Sequence, residues 1–130
     1  MDYGLGVRLD RPFQQAVADV TAALKEQGFG VLTTVDVRAT LHEKLGEELE
    51  DYLILGACNP SLAHRALLAD RRIGLLLPCN VVVRRDGGAT VVEAVDPQTL
   101  VTLAGSGGGL AEVADEAARR LSAALASLSA

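Results

Sequence analysis

Cys79-Asn80-Val81-Val82-Val83-Arg84-Arg85-Asp86-Gly87-Gly88-Ala89-Thr90-Val91-Val92-Glu93-Ala94-Val95 is the stretch whose reading decides the fold. Two runs rich in β-branched residues flank Arg85-Asp86-Gly87-Gly88, a turn composition whose glycines accept the positive φ of a tight hairpin. The chain doubles back here, and Thr90 to Val95 returns alongside the strand before it. Just upstream, Gly74 to Val83 is apolar enough for strand, but Pro78 cannot donate to a ladder. A bulge or break is expected there, giving two short strands or one kinked strand.

Working outward toward the start of the chain, Tyr52 to Cys58 is a continuous apolar run, the pattern of a central strand covered on both sides. Asn59-Pro60 supplies a cap and a first helical residue for Ser61 to Ala69, whose apolar face is Leu62, Ala63, Ala66 and Leu67. Before that strand, Thr40-Leu41-His42-Glu43 has the spacing of a capping box and starts a short helix to about Leu45. Phe29 to Val37 alternates Val and Thr and reads as a strand with one buried face. Phe13, Val17, Val20, Ala23 and Leu24 recur at helical spacing after Asp10-Arg11-Pro12 and stop at Gly28. Tyr3 to Leu9 alternates loosely as a first strand.

Toward the other end, Asp96 to Leu103 lacks a clear period, and Gly105-Ser106-Gly107-Gly108-Gly109 has the composition of a flexible loop. Leu110, Val113, Ala114, Ala117, Leu121, Ala124, Leu125 and Leu128 then form a long apolar stripe on a final helix. This order of elements permits either a mixed sheet or helices packed on one face of a sheet.

The 130 residues fit one domain, 1–130, and 49% apolar content fills a core of that size. Aromatic residues are only 3% with no Trp, so the core is aliphatic and stacking surfaces for bases are lacking. A formal charge of -5, with no basic cluster longer than a pair, argues against nucleic acid and anionic membranes as partners. Neither a signal peptide nor a membrane span is apparent, and two cysteines do not make a secreted disulfide framework, so a cytoplasmic location with free thiols is expected.

Chemistry-bearing residues collect at two strand breaks, Ala57-Cys58-Asn59-Pro60 and Leu77-Pro78-Cys79-Asn80. Cys58 precedes a helix start, whose unpaired amides favour a thiolate, so it is expected to be the more reactive thiol. The bland alternative is that both cysteines are small buried hydrophobes and both asparagines satisfy local backbone. A disulfide requires Cα atoms within about 7 Å, which adjacent strands permit. Cys58, Cys79, His64 and His42 are the residue types of a tetrahedral zinc centre, although their spacing matches no signature. A cysteine nucleophile needs a base, and His64 lies one and a half helical turns beyond Cys58. Glu47, Glu48, Glu50 and Asp51 read as a solvated turn, and the glycine-rich loop lacks the Lys-Ser/Thr of a phosphate-binding loop.

With Gly28-Phe29-Gly30-Val31-Leu32, these two segments give the chain a resemblance over nearly its whole length to a widespread prokaryotic family, domain of unknown function number three hundred and two. That resemblance implies an α+β fold with helices against a curved, mainly antiparallel sheet, similar to the TATA-binding-protein class. Such a likeness of fold implies no DNA binding. It carries over the Asn59-Pro60 turn and the Leu77-Pro78 break, and no catalytic residue or cofactor.

The expected function is that of a small soluble module, acting as a homodimer, that holds a small molecule or metal near Cys58-Asn59 and Cys79-Asn80. The alternatives are a thiol-redox or cysteine-dependent enzyme, and a structural domain that dimerises through its exposed sheet face or carboxyl-terminal stripe.

Overall fold

A computed structural model describes residues 2–129. Its five strands are β1 (Gly4–Leu9), β2 (Gly30–Asp36), β3 (Tyr52–Cys58), β4 (Cys79–Asp86) and β5 (Ala89–Val95). The helices are α1 (Phe13–Glu26), α2 (Val37–Leu45), α3 (Pro60–Ala69), α4 (Gln98–Ala104) and α5 (Leu110–Leu128). The strands form one open sheet in the order β1-β5-β4-β3-β2, and every neighbouring pair is antiparallel. The fold is therefore α+β with a mainly antiparallel sheet, as the family resemblance implied.

The hairpin closes as its sequence demands, with Asp86 paired to Ala89 across Gly87-Gly88. Alternation along the two strands buries Val81 and Val83 on β4, and Thr90, Val92 and Ala94 on β5, on one face. That face is covered by α1, lying against β4 and β5, and by α5, lying against α1 and β1, with the α5 stripe from Leu110 to Leu128 in the core. The carboxyl-terminal stripe is thus spent inside the molecule and is not a free dimer surface. Helix α1 adds Phe13, Ala16, Val20 and Leu24 to the same core and stops before Gly28, whose φ of 83° is the left-handed conformation glycine takes without strain.

Several boundaries differ from the sequence reading, each for a local reason. Pro12 occupies the cap position of α1, without a side-chain hydrogen bond. Helix α2 begins at Val37, three residues before the predicted capping box, because the Asp36 carboxylate accepts from Ala39 N at 2.9 Å. Thr40 instead donates to the Asp36 carbonyl at 2.8 Å. Residues 71–76 form a 3-10 helix, so Pro78 stands before β4 and does not interrupt a strand. Asp96 to Ala104, expected to be irregular, contains α4, initiated where Asp96 accepts from Gln98 N through its carboxylate and from the Thr99 hydroxyl through its carbonyl.

The largest difference concerns β2. Expected to bury one face, it is one of the sheet's two outer edges, and all of its residues but Val31 are exposed. Strand β3 is interior, as expected, yet only Leu55, Gly56 and Ala57 are fully buried, because one face of the sheet carries no helix layer over most of its length.

Candidate functional site

Where β2 and β3 end and β4 begins, the sheet parts from α3 and leaves a cavity of about 390 Å³. Its walls come from the ends of strands on one side and from Leu62, Ala63, Ala66 and Leu67 of α3 on the other, with α4 and α5 contributing Leu100, Val113 and Ala117. This volume lies in the range of about 300–1,000 Å³ in which small-molecule pockets fall.

Three of the four residues singled out at the strand breaks meet here: Cys58, Asn59 and Cys79 all line the cavity. Asn80 does not. Being one residue further along β4, it projects to the opposite face, where it is exposed in a depression shared with Tyr52 and Glu93.

Asn59 is the buried cap of α3. Its Oδ1 accepts from Leu62 N at 3.2 Å, and Pro60 follows as the first helical residue. Its Nδ2 would stand 3.0 Å from a Cβ at Gly28, so the glycine that ends α1 also leaves room for the cap of α3.

The two thiols are free and unlike each other. Cys79 pairs in register with Ala57, not with Cys58, so the cysteines sit on adjacent strands out of step. Keyed to that register they form no disulfide, and the cysteine pair expected from the sequence is two separate thiols around one cavity. Cys79 is buried, and its burial, reinforced by the charge Cys58 would carry, pushes its pKa up from the usual 9.0 to about 11. It is a neutral thiol at physiological pH. Cys58 is half-buried, at the end of β3 immediately before the cap.

The histidines stay outside the site. His64 is exposed on α3 and does not line the cavity, so the Cys58–His64 relay is not assembled. His42 lies on α2 with Nε2 3.4 Å from Glu48 at the surface. Among the described residues, no group of three or more His, Cys, Asp or Glu side chains is arranged to hold a metal ion. The zinc set Cys58, Cys79, His64 and His42 is therefore dispersed. Of the acidic run, Asp51 accepts from Arg38 at 2.8 Å and raises the already high Arg38 pKa by that hydrogen bond and its charge.

Gly56 was not singled out in the sequence, yet it shapes the site. A Cβ there would collide with Thr33 Oγ1 and lie 3.0 Å from Pro78 Cγ, so the missing side chain lets β2 and the Leu77-Pro78 segment close over β3. A lone glycine inside an apolar strand is the signal that could have found it.

An open antiparallel sheet with helices against one face and an apolar cavity at its strand ends defines an α+β domain of ligand-sized interior space. The chain belongs to the family described as domain of unknown function DUF302, whose model matches residues 5–128. It is also similar to an uncharacterized conserved DUF302 protein from Bacillus stearothermophilus, known from a crystal structure. The two superpose with a TM-score of 0.88 at 31% sequence identity, over 97% of this chain and 98% of that one. No curated protein matches the sequence. No helix among the described residues is long and apolar enough to cross a membrane.

Proposed function

We propose that this protein is a binding module for a small, largely apolar molecule held between α3 and the ends of β2, β3 and β4. The observation that carries the reading is the cavity itself, with walls almost wholly of aliphatic carbon and only Thr33, Cys58, Asn59 and Cys79 offering polar atoms. A ligand with a hydrocarbon body and one hydrogen-bond acceptor suits it, the acceptor taking up the Asn59 amide N–H. In a reducing, cytoplasmic compartment both thiols stay free and serve as soft, polarizable wall.

Nile red, an apolar dye that fluoresces on leaving water, tests this directly. Saturable binding of one dye per chain is expected, weakened about tenfold or more in Ala63→Phe, whose ring would occupy the cavity. Equal binding by wild type and a folded Ala63→Phe variant would refute the assignment.

A second reading, thiol-dependent chemistry, is favoured by one observation: both cysteines border the same cavity. In that reading Cys58 is the attacking thiol and Cys79, held protonated, is not. Iodoacetamide at pH 7.5 followed by peptide mapping is expected to modify Cys58 alone, and comparable labelling of Cys79 would exclude the reading.

A further inference from the structure

The 3-10 helix at residues 71–76 and α4 touch one another, and each turns one residue toward the cavity and one away from it. Inward, Gly74 and Leu100 line the cavity. Outward, Leu75 and Leu103 border a separate gap of about 260 Å³ between the two elements, where they are 77% and 70% exposed. A single exposed leucine is ordinary, but two on opposite sides of one gap are apolar area that closing the gap removes from water.

Helix α4 is also held at one end only. At its start Asp96 N donates to the Tyr3 carbonyl at 2.8 Å, Gln98 Nε2 donates to Asp115 of α5 at 2.6 Å, and Pro97 is buried. Leu100 is the only buried residue of its seven. Beyond it, every residue from Thr102 to Gly109 is exposed. The far end runs into Gly105, at φ 91°, and on through Ser106 and Gly107, and no atom lies within 4 Å of a Cβ added at either glycine. At Gly108 the backbone lies against the end of α3, where an added Cβ would stand 3.1 Å from Ala69. Residues 105–107 are therefore a short slack link between two held points, and its glycines accept the φ changes a hinge must absorb.

We propose that α4 is a lid on the cavity: pivoting about Asp96-Pro97, it closes onto the 3-10 helix when a ligand fills the space beneath Leu100, and Leu75 and Leu103 then meet across the gap. This rests on the ligand reading, because occupancy drives the closure. With the cavity empty, Leu100 faces open space and forfeits the contacts of a packed side chain. A hydrocarbon ligand restores those contacts most fully when α4 is drawn down, so it binds the closed state better than the open one, and that difference shifts the equilibrium. Closure in turn slows escape. A site whose walls offer few hydrogen bonds thereby retains its ligand by enclosure.

Hydrogen exchange of the wild-type chain during a Nile red titration is the first test. The Gly105 amide, which donates to the Val101 carbonyl at 2.9 Å, reports the free end of α4. It is expected to exchange about tenfold more slowly at saturating dye, in step with the fluorescence. Saturable dye binding with unchanged exchange across residues 98–109 overturns the lid and leaves the ligand reading standing, whereas absence of dye binding overturns both. A double variant, Leu75→Cys with Leu103→Cys, traps the closed state, and both positions are exposed enough to change without loss of the fold. Diamide is expected to join these two cysteines about tenfold faster with dye than without, read by non-reducing peptide mapping. The cross-linked protein is expected to release dye about tenfold more slowly until dithiothreitol is added. Cross-linking at one rate with and without dye, or release that ignores the cross-link, overturns the proposal.

Discussion

Cys79 links burial to pH. Below the usual thiol pKa of 9.0 both folded and unfolded chains hold the proton, and stability is at its full value. As pH rises toward 11 the unfolded chain releases the proton first, because burial keeps it on the folded thiol, so stability falls. The loss approaches about 3 kcal/mol once the pH passes the folded value, at about 1.4 kcal/mol per unit. Urea titrations at pH 8 and 11 are expected to show this extra alkaline loss in wild type and not in Cys79→Ala. Asn59 belongs to the same scale: Asn59→Ala removes the Oδ1 cap of α3 and is expected to cost about 1 kcal/mol in urea unfolding. Its role as a cap was legible because Asn-Pro before an apolar helical face has few other uses. The helix start after Asn59 set Cys58 apart in the sequence as the thiol expected to be more reactive, but the deep burial of Cys79 was not legible, since each cysteine follows an apolar residue and precedes Asn. The register, which sets Cys79 against Ala57 in the middle of the sheet, is what buries it.

At the scale of the element, the hairpin and the long α5 were fully legible, because turn chemistry and an unbroken apolar stripe leave little choice. Strand β2 was not. Alternating Val and Thr reads the same on an edge as in the interior, and nothing local says whether a neighbour lies on the far side. Helix α4 was hidden for a different reason: Thr99 and Thr102 are poor helix formers, and only Leu100 is buried, so no periodicity emerges. Gly56 makes a prediction about β3. Gly56→Ala forces Thr33 and Pro78 away from the strand, and is expected to destabilise the protein by about 1–3 kcal/mol and to change dye binding with it. Gly88→Ala, where no atom lies within 4 Å of the added Cβ, is the control for a glycine not hemmed in by neighbours.

On the scale of the whole molecule, α5 ties the layers together. It packs against α1, α3 and α4 and reaches β1, and Leu121 near its middle is wholly buried. Leu121→Ala is expected to cost about 2–5 kcal/mol and to lower the melting temperature in one cooperative step. Polar clasps at the periphery reinforce the same closure. Arg11 donates to Asp19 at 2.8 Å and to the Leu128 carbonyl at 2.5 Å, and the buried Thr90 hydroxyl donates to the Arg11 carbonyl at 2.9 Å. The cavity as a site was only half legible. Sequence placed the cysteines and asparagines at strand breaks, but the side chains that enclose them carry the same helical spacing as ordinary core.

The strand order has a consequence for how the chain is made. Strand β1 has a single partner, β5, and its first residue, Gly4, pairs with Val95. On the ribosome, β1 and the helix behind it emerge long before that partner exists, whereas β2, β3 and β4 can zip together in succession as each appears. The nascent chain therefore carries β1 unmatched until β5 has followed it, and completes its sheet only by reaching back to it, a long loop closure.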